Sequence, residues 1–259
     1  MNVTGERARA TPFGRALTAA LDAMADEGRR LVVWWRDDDA IEPTPALERL
    51  LAISEQHGVP VGLAIIPEGA TPGLAERLAR SPHAFAIQHG WSHRNHEPAG
   101  TRAAELGAAR PAEIVLAELA AGREKLAGLF GPRFLPVLTP PWNRIAPTIA
   151  ERRREIGLPV LTTFGHRSVG DGIVDTHLDP IAWRTSRSYI GDEKAATIAR
   201  QEIAARRDIP DAPFGLLTHH LAHEEAVWAF TEIAVAVLAA HPAVTWPEPA
   251  ALFGTPAAG

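Results

Sequence analysis

Carboxylates and imidazoles gather at three points of this sequence, each just after an apolar run. Arg36-Asp37-Asp38-Asp39 follows Leu31-Val32-Val33-Trp34-Trp35, and His89-Gly90-Trp91-Ser92-His93-Arg94-Asn95-His96 follows Ala84-Phe85-Ala86-Ile87. His219-His220 follows Phe214-Gly215-Leu216-Leu217. Oxygen and imidazole donors placed at the ends of separate apolar runs point to one metal site assembled from several strand ends. With no cysteine in the chain, disulfides, thiolate zinc sites and a cysteine nucleophile are excluded, so any metal is held by His and carboxylates.

His89 and His93 stand four residues apart, a spacing that lets two imidazoles grip one cation. Among 11 histidines that spacing alone is a weak signal, and its position after a strand strengthens it. Three successive carboxylates repel one another, and burying them without a cation costs several kcal/mol. One Asp can ligate a metal while its neighbour, on the other face of the extended chain, takes a proton from water, with Arg36 neutralising a further charge. Asp39 takes the bland role of a helix cap in this reading.

The elements that must position these groups follow from periodicity. Short β-prone runs at Leu31–Trp35, Val61–Ile66, Phe85–Gln88, Phe134–Leu138, Val160–Thr163, Ile173–Thr176, Phe214–Thr218 and Val244–Trp246 alternate with helical stretches at 14–28, 45–57, 72–80, 111–129, 147–156, 194–207 and 224–240. The pattern predicts an α/β fold, a distorted (β/α) barrel of about seven or eight mostly parallel strands, with the site at the strands' C-terminal ends. Residues 97–110 and 164–192 read as long irregular connections. Residues 1–29 read as a helical extension, 30–254 as the barrel domain and 255–259 as a frayed tail. A chain of 259 residues with 46% hydrophobic content suffices for one such domain. Net charge of −5 with scattered basic residues argues against nucleic acid. No apolar stretch reaches membrane-spanning length and no secretory leader is visible, so cytoplasmic residence is expected. The oligomeric state is left open.

In chain order these motifs resemble the metal-dependent polysaccharide deacetylases with a NodB-homology domain, over roughly residues 30–250. That family opens with Thr-Phe-Asp-Asp-Gly, its first Asp a base and its second a metal ligand. With the register set by Thr44-Pro45, the resemblance implies Asp37 as base and Asp38 as ligand. His89-Gly90-Trp91-Ser92-His93 is similar to the second motif, implying His89 and His93 as the other ligands. Leu138-Thr139-Pro140-Pro141-Trp142-Asn143-Arg144 is similar to the third, Arg-x-Pro-aromatic, which lines the substrate groove. Thr139 stands where the family has the Arg that orients its base, so either Arg36 or Arg144 substitutes or the base is tuned differently, and this departure favours the non-catalytic reading among the alternatives below. Leu217-Thr218-His219 resembles the Leu-x-His motif and implies His219 as general acid, ahead of His220, with Asp179 as its partner carboxylate.

Taken together, the resemblance implies a hydrolase of a non-peptide carbon–nitrogen amide bond, such as the N-acetyl group of an amino sugar or a small amide. The cofactor implied is one divalent ion, zinc first, with iron, cobalt, nickel or manganese also suited to these ligands. Trp91, Pro141, Trp142, Asn143, Arg144 and Trp183 are the expected substrate contacts, and a backbone N–H near Trp142 the oxyanion donor. The partner is then a saccharide or small-molecule substrate. The alternatives are a non-catalytic metal-containing barrel that binds a sugar or small ligand, and a cyclic amide or imide hydrolase on the same fold. His223 reads as a residue at the start of the 224–240 helix, facing solvent or bonded to Glu224 or Glu225, and His96, with Asn95, either as a substrate contact or support for the ligands or as a residue with no role.

Overall fold

A computed structural model describes residues 5–165 and 172–254; the predicted frayed tail lies outside them. Two helices come first, α1 (Gly5–Arg9) and α2 (Pro12–Asp26), followed by β1 (Leu31–Ala40), α3 (Pro45–His57), β2 (Val61–Ile65), α4 (Pro72–Ala79) and β3 (Ala84–His89). The chain continues with α5 (Ala112–Phe130), β4 (Phe134–Thr139), α6 (Pro147–Arg152), β5 (Val160–Leu161), α7 (Asp192–Ala205), β6 (Phe214–Thr218), α8 (Glu225–Ala240), β7 (Val244–Thr245) and α9 (Pro249–Phe253). Thr11, Thr44 and Thr71 each open a helix by accepting a hydrogen bond from a first-turn amide, with Pro in the first turn. Proline suits that turn because its missing N–H would have no partner there.

All named strands pair in parallel, in the order β5-β4-β3-β2-β1-β6, with β7 beside the start of β1. The segment Ile173–Leu178 lies between the two ends of this sheet. Leu161 bridges Ile173, Phe164 bridges Thr176, and Leu178 bridges Leu216. The expected barrel is therefore present and distorted, because its last gap is closed by isolated bridges rather than a full ladder. The strand expected at Ile173–Thr176 occupies that closing position.

Side-chain alternation divides β1 between two of three buried apolar cores, the third joining Leu138 of β4 and Leu161 of β5 to α5. Trp34, Ala64, Phe85, Ile87, Val137, Val160 and Val174 fill the barrel interior, with Phe253 of α9 packed among them. Val33 and Trp35 point the other way, into an outer core shared with α2, α3, α4, α7 and α8. Phe13, Leu17 and Leu21 of α2 belong to that outer core. No helix among the described residues is long and apolar enough to cross a membrane.

Strand β1 is longer than its apolar run predicts. Arg36 pairs with Gly62 and Leu217, Asp37 with Leu63 and Thr218, and Asp38 with Ala64, continuing both ladders through the charged residues. Buried charge is tolerated here because each group has a partner.

Candidate active site

The faces of β1 decide which aspartate does what. Trp34 points into the barrel, so in a regular strand Arg36 and Asp38 do as well, while Asp37 faces the helical layer. The contacts follow that rule. Arg36 and Asp38 form a bidentate pair, Nε to Oδ1 at 2.8 Å and Nη2 to Oδ2 at 3.1 Å, and both residues are buried. Arg36 also donates to Thr162 Oγ1 at 2.9 Å and to Asn143 Oδ1 at 2.7 Å.

Asp37 instead accepts from Thr218 Oγ1 at 2.6 Å, from the His220 amide at 3.0 Å and from His220 Nδ1 at 2.5 Å. Burial pushes its carboxyl up, and the charge and hydrogen bond of His220 outweigh this and hold it low. Trp35 Nε1 donates to the same Thr218 hydroxyl. The role of base expected for Asp37 has no support in this geometry, since its oxygens are committed on the outer face of the barrel.

Asp39 breaks the alternation. The β1–β2 register shifts between Asp38 and Ala40, and Asp39 has a φ of 77°. A bulge of this kind re-aims one side chain, and it turns Asp39 inward. Asp39 Oδ1 lies 3.2 Å from His89 Nε2 and 3.4 Å from His93 Nε2. Among the described residues Asp39, His89 and His93 form a group whose ligand atoms lie within 4.8 Å of one another. The carboxylate beside the two histidines is thus Asp39, not Asp38, and Asp39 caps no helix, since α3 is capped by Thr44.

The donor chemistry of this group fits a cation. His89 Nδ1 is 3.1 Å from the Thr139 carbonyl, an acceptor only, so Nδ1 carries the hydrogen and Nε2 of the neutral ring presents a lone pair. Among the described residues, the buried Asp39 Oδ1 has no hydrogen-bond partner. Lone pairs of two imidazoles and a carboxylate facing one another repel unless a positive charge lies among them. Burial opposes protonation of His89, but Asp38 and Asp39 outweigh it and draw its pKa upward. Burial and the charge of His89 lower that of His93.

The loop carrying His93 is held by a residue that spacing does not reveal. Glu105, fully buried, accepts from the amides of Trp91, Ser92 and His93 at 3.2, 2.7 and 3.3 Å and from Ser92 Oγ at 3.0 Å. Gly90 has a φ of 54°, and a Cβ there would lie 2.1 Å from Glu105 Oε2 and 2.7 Å from Pro141 Cδ. Only glycine lets the chain turn this tightly over Glu105. The carbonyl of Trp91 accepts from the Glu68 amide. His96 lies further along, its amide donating to the Ala104 carbonyl.

The loop after β4 forms the adjoining wall. Trp142 and Asn143 both have a φ of 55°, which brings the Trp142 ring to 4.3 Å from that of His93 and Asn143 onto Arg36. Thr139, where the resemblance expects an Arg, donates no charge; Arg36 supplies it from β1 itself. Arg144 turns away from Asp38 and donates to the Ala103 carbonyl at 2.6 Å.

Opposite stands His219, whose Nε2 is 3.7 Å from Asp38 Oδ2 and whose Nδ1 is 3.9 Å from Asp179 Oδ2. Asp179 accepts from Trp183 Nε1 at 2.7 Å and from the Ile181 amide at 2.9 Å. Burial raises its carboxyl, only partly offset by His219. The Trp183 ring meets His219 edge-on at 4.7 Å. His220 points outward to Asp37, as strand alternation requires of one of the two. His223 is half-buried and, among the described residues, does not bond Glu224 or Glu225: its ring meets Trp228 edge-on at 4.3 Å and its Nε2 accepts from the His219 amide.

No protein-family model and no curated protein sequence matches this chain. Solved structures do. A protein from Mycobacterium smegmatis assigned as a polysaccharide deacetylase superposes with a TM-score of 0.63 at 19% identity, over 88% of this chain and 90% of that one. The chitin deacetylase of Colletotrichum lindemuthianum gives 0.55 at 12% identity, over 88% and 89%. A family 4 acetyl xylan esterase from Clostridium thermocellum, solved with a cobalt ion, gives 0.54 at 15% identity, over 87% and 93%. The chain therefore has the fold of the polysaccharide deacetylases and family 4 carbohydrate esterases, as its motifs led us to expect.

Proposed function

We propose that this chain is a deacetylase-like hydrolase of N-acylated amines that depends on one divalent metal. The observation that carries the reading is the convergence, in one barrel mouth, of the Asp39–His89–His93 group, an arginine-paired carboxylate, Asp38, and a carboxylate-partnered imidazole, His219. The similar fold of deacetylases, and the cobalt in one of those structures, support it.

Asp39, His89 and His93 are the metal ligands in this proposal, and Asp38 replaces Asp37 as base. The bound ion supplies Lewis acidity and lowers the pKa of water. Asp38 Oδ2 receives the proton of the attacking water, and Arg36, paired with both carboxylate oxygens, fixes its plane. As the carbon–oxygen bond forms and the carbon–nitrogen bond breaks, His219 Nε2 delivers a proton to the departing nitrogen. Asp179 Oδ2, 3.9 Å from Nδ1, orients the ring. Trp142 and Trp183 flank the reacting amide, and a backbone N–H at the Trp142 turn is the proposed oxyanion donor. The products are a carboxylate and a free amine. Arg36 beside Asp38 offers the counter-charge that the Thr139 position lacks, which supports the catalytic reading over a non-catalytic barrel.

Release of acetate from a panel of N-acetylated amines by zinc- or cobalt-loaded protein tests the proposal. Turnover that disappears in Asp38→Asn, with bound metal retained by elemental analysis, is the expected result. Equal turnover by Asp38→Asn would overturn the assignment.

A further inference from the structure

Asp37, Thr218 and His220 are buried polar residues on the outer face of the barrel, and the proposed reaction uses none of them. One carboxylate joins all three. Asp37 Oδ2 accepts from Thr218 Oγ1 at 2.6 Å and from the His220 amide at 3.0 Å, and Oδ1 meets His220 Nδ1 at 2.5 Å. Thr218 and His220 are the two chain neighbours of His219. Asp37 is itself next to Asp38 and pairs with Thr218 in the β1–β6 register. A single side chain therefore ties the end of β6 to the strand that carries the proposed base.

His219 depends on such a hold. Strand β6 ends at Thr218, and His219 leaves it with a φ of −143° and a ψ of 84°. Its imidazole makes no hydrogen bond among the described residues: Asp38 Oδ2 and Asp179 Oδ2 stand 3.7 and 3.9 Å away, and Nδ1 is buried without a partner. The backbone around it is held instead. The His219 amide donates to His223 Nε2 at 3.4 Å, its carbonyl accepts from the Ala222 amide at 2.8 Å, and the following amide goes to Asp37. The backbone thus sets where the ring stands, and Asp179 how it is turned. Cohesion alone does not call for a carboxylate here, since buried charged partners commonly hold a fold no better than apolar side chains of like volume. What the carboxylate adds is direction, because bonds to a hydroxyl, an amide and a ring nitrogen fix the angle at which the chain leaves β6.

Building on the hydrolase reading, we propose that Asp37 is a positioning residue for His219, acting through Thr218 and through the amide and ring of His220. It holds His219 Nε2 beside Asp38 Oδ2, where the departing nitrogen must collect its proton. A displacement of about 1 Å at such a group costs roughly a hundredfold in rate.

The test pairs p-nitroacetanilide with p-nitrophenyl acetate on the full zinc-loaded chain. The two compounds differ at the leaving atom: the anilide nitrogen needs a proton to depart, whereas nitrophenolate leaves without one. Asp37→Asn, with its metal content retained, is expected to lower kcat on the anilide by about a hundredfold at nearly unchanged KM, and the rate on the ester by no more than about threefold. His220→Leu should repeat that pattern, and His220→Asn, whose amide nitrogen can still donate to Asp37, should recover most of the loss. In a His219→Ala background Asp37→Asn should cost nothing further. In nuclear magnetic resonance of isotope-labelled histidine, the ring signals of His219, assigned by their absence from His219→Ala, should shift in Asp37→Asn while those of His89 and His93 stay in place. Equal losses on anilide and ester, losses that multiply in the double variant, or unmoved His219 signals would each overturn the proposal. If the unaltered chain releases acetate from no N-acetylated amine, the hydrolase reading fails, and the ring signals still decide the positioning.

Discussion

Asp38 and Asp39 are neighbours with separable duties, and single substitutions should separate them. Asp39→Ala is expected to lose bound metal while remaining folded, as measured by elemental analysis and circular dichroism. Asp38→Ala should keep the metal and lose turnover. Arg36→Met leaves the buried Asp38 without its counter-charge, so a denaturant titration should show a loss of about 3–5 kcal/mol. His223 has its pKa lowered to about 4, first by burial and then by the charges of His219, His220 and Arg49, against the opposing pull of Asp37. Between about pH 4 and the ordinary value of 6.5 the unfolded chain binds more protons at this residue than the folded one, so stability rises with pH across that window and is lost as pH falls through it. In chelator-treated protein, His223→Gln should flatten the pH dependence of the unfolding free energy, from urea titrations between pH 6.5 and 4, by about 2 kcal/mol; an unchanged slope would contradict the neutral imidazole. At this scale the residue types were legible in the sequence and their register was not. Counting alternate residues from Trp34 puts Asp38 inward, but it also puts Asp39 outward, and only the bulge with its positive φ reverses that. Asp37 looked catalytic because nothing in the sequence announces that His220 and Thr218 engage it from behind.

Among the elements, the turn after β3 decides whether His93 meets its partners. Gly90→Ala places a methyl group against Glu105 and Pro141 in a backbone conformation that L-residues resist. It should lower thermal stability and weaken metal affinity together, by calorimetry and competitive titration with a chelator. Glu105→Gln should show the same pair of effects in milder form, since it keeps an acceptor but loses the charge that gathers the amides. The His-x-x-x-His spacing was readable because both residues sit on one short turn. Glu105 was not, because it comes from the 97–110 connection, which has no periodicity to place it. The helices, by contrast, were readable almost to their ends, since Thr-Pro caps and apolar repeats are local signals.

Over the whole molecule, closure of the barrel rests on a narrow seam. Gly215 has no side chain where the closing segment passes: a Cβ there would lie 2.5 Å from the Asp175 carbonyl oxygen and 2.6 Å from Trp34 Nε1. Gly215→Ala should therefore open the seam between β6 and Ile173–Leu178, seen as faster hydrogen exchange at the His177 amide, which donates to the Gly215 carbonyl. Unaltered exchange there would show that the seam tolerates a methyl group. The barrel itself was foreseeable from eight apolar runs alternating with helices. That its last gap would be bridged only at intervals was not, because isolated bridges need no continuous β pattern.

One feature of β1 bears on how such a barrel can diversify. The carboxylate proposed as base, Asp38, and the cation paired with it, Arg36, are two residues apart on a single strand, so one element carries both. The loop after β4, relieved of supplying that cation, still braces the pair through Asn143 and His93 through Trp142, so it can be remodelled only where those two contacts are kept. New specificities can then be acquired at the rim while the chemistry below is inherited intact.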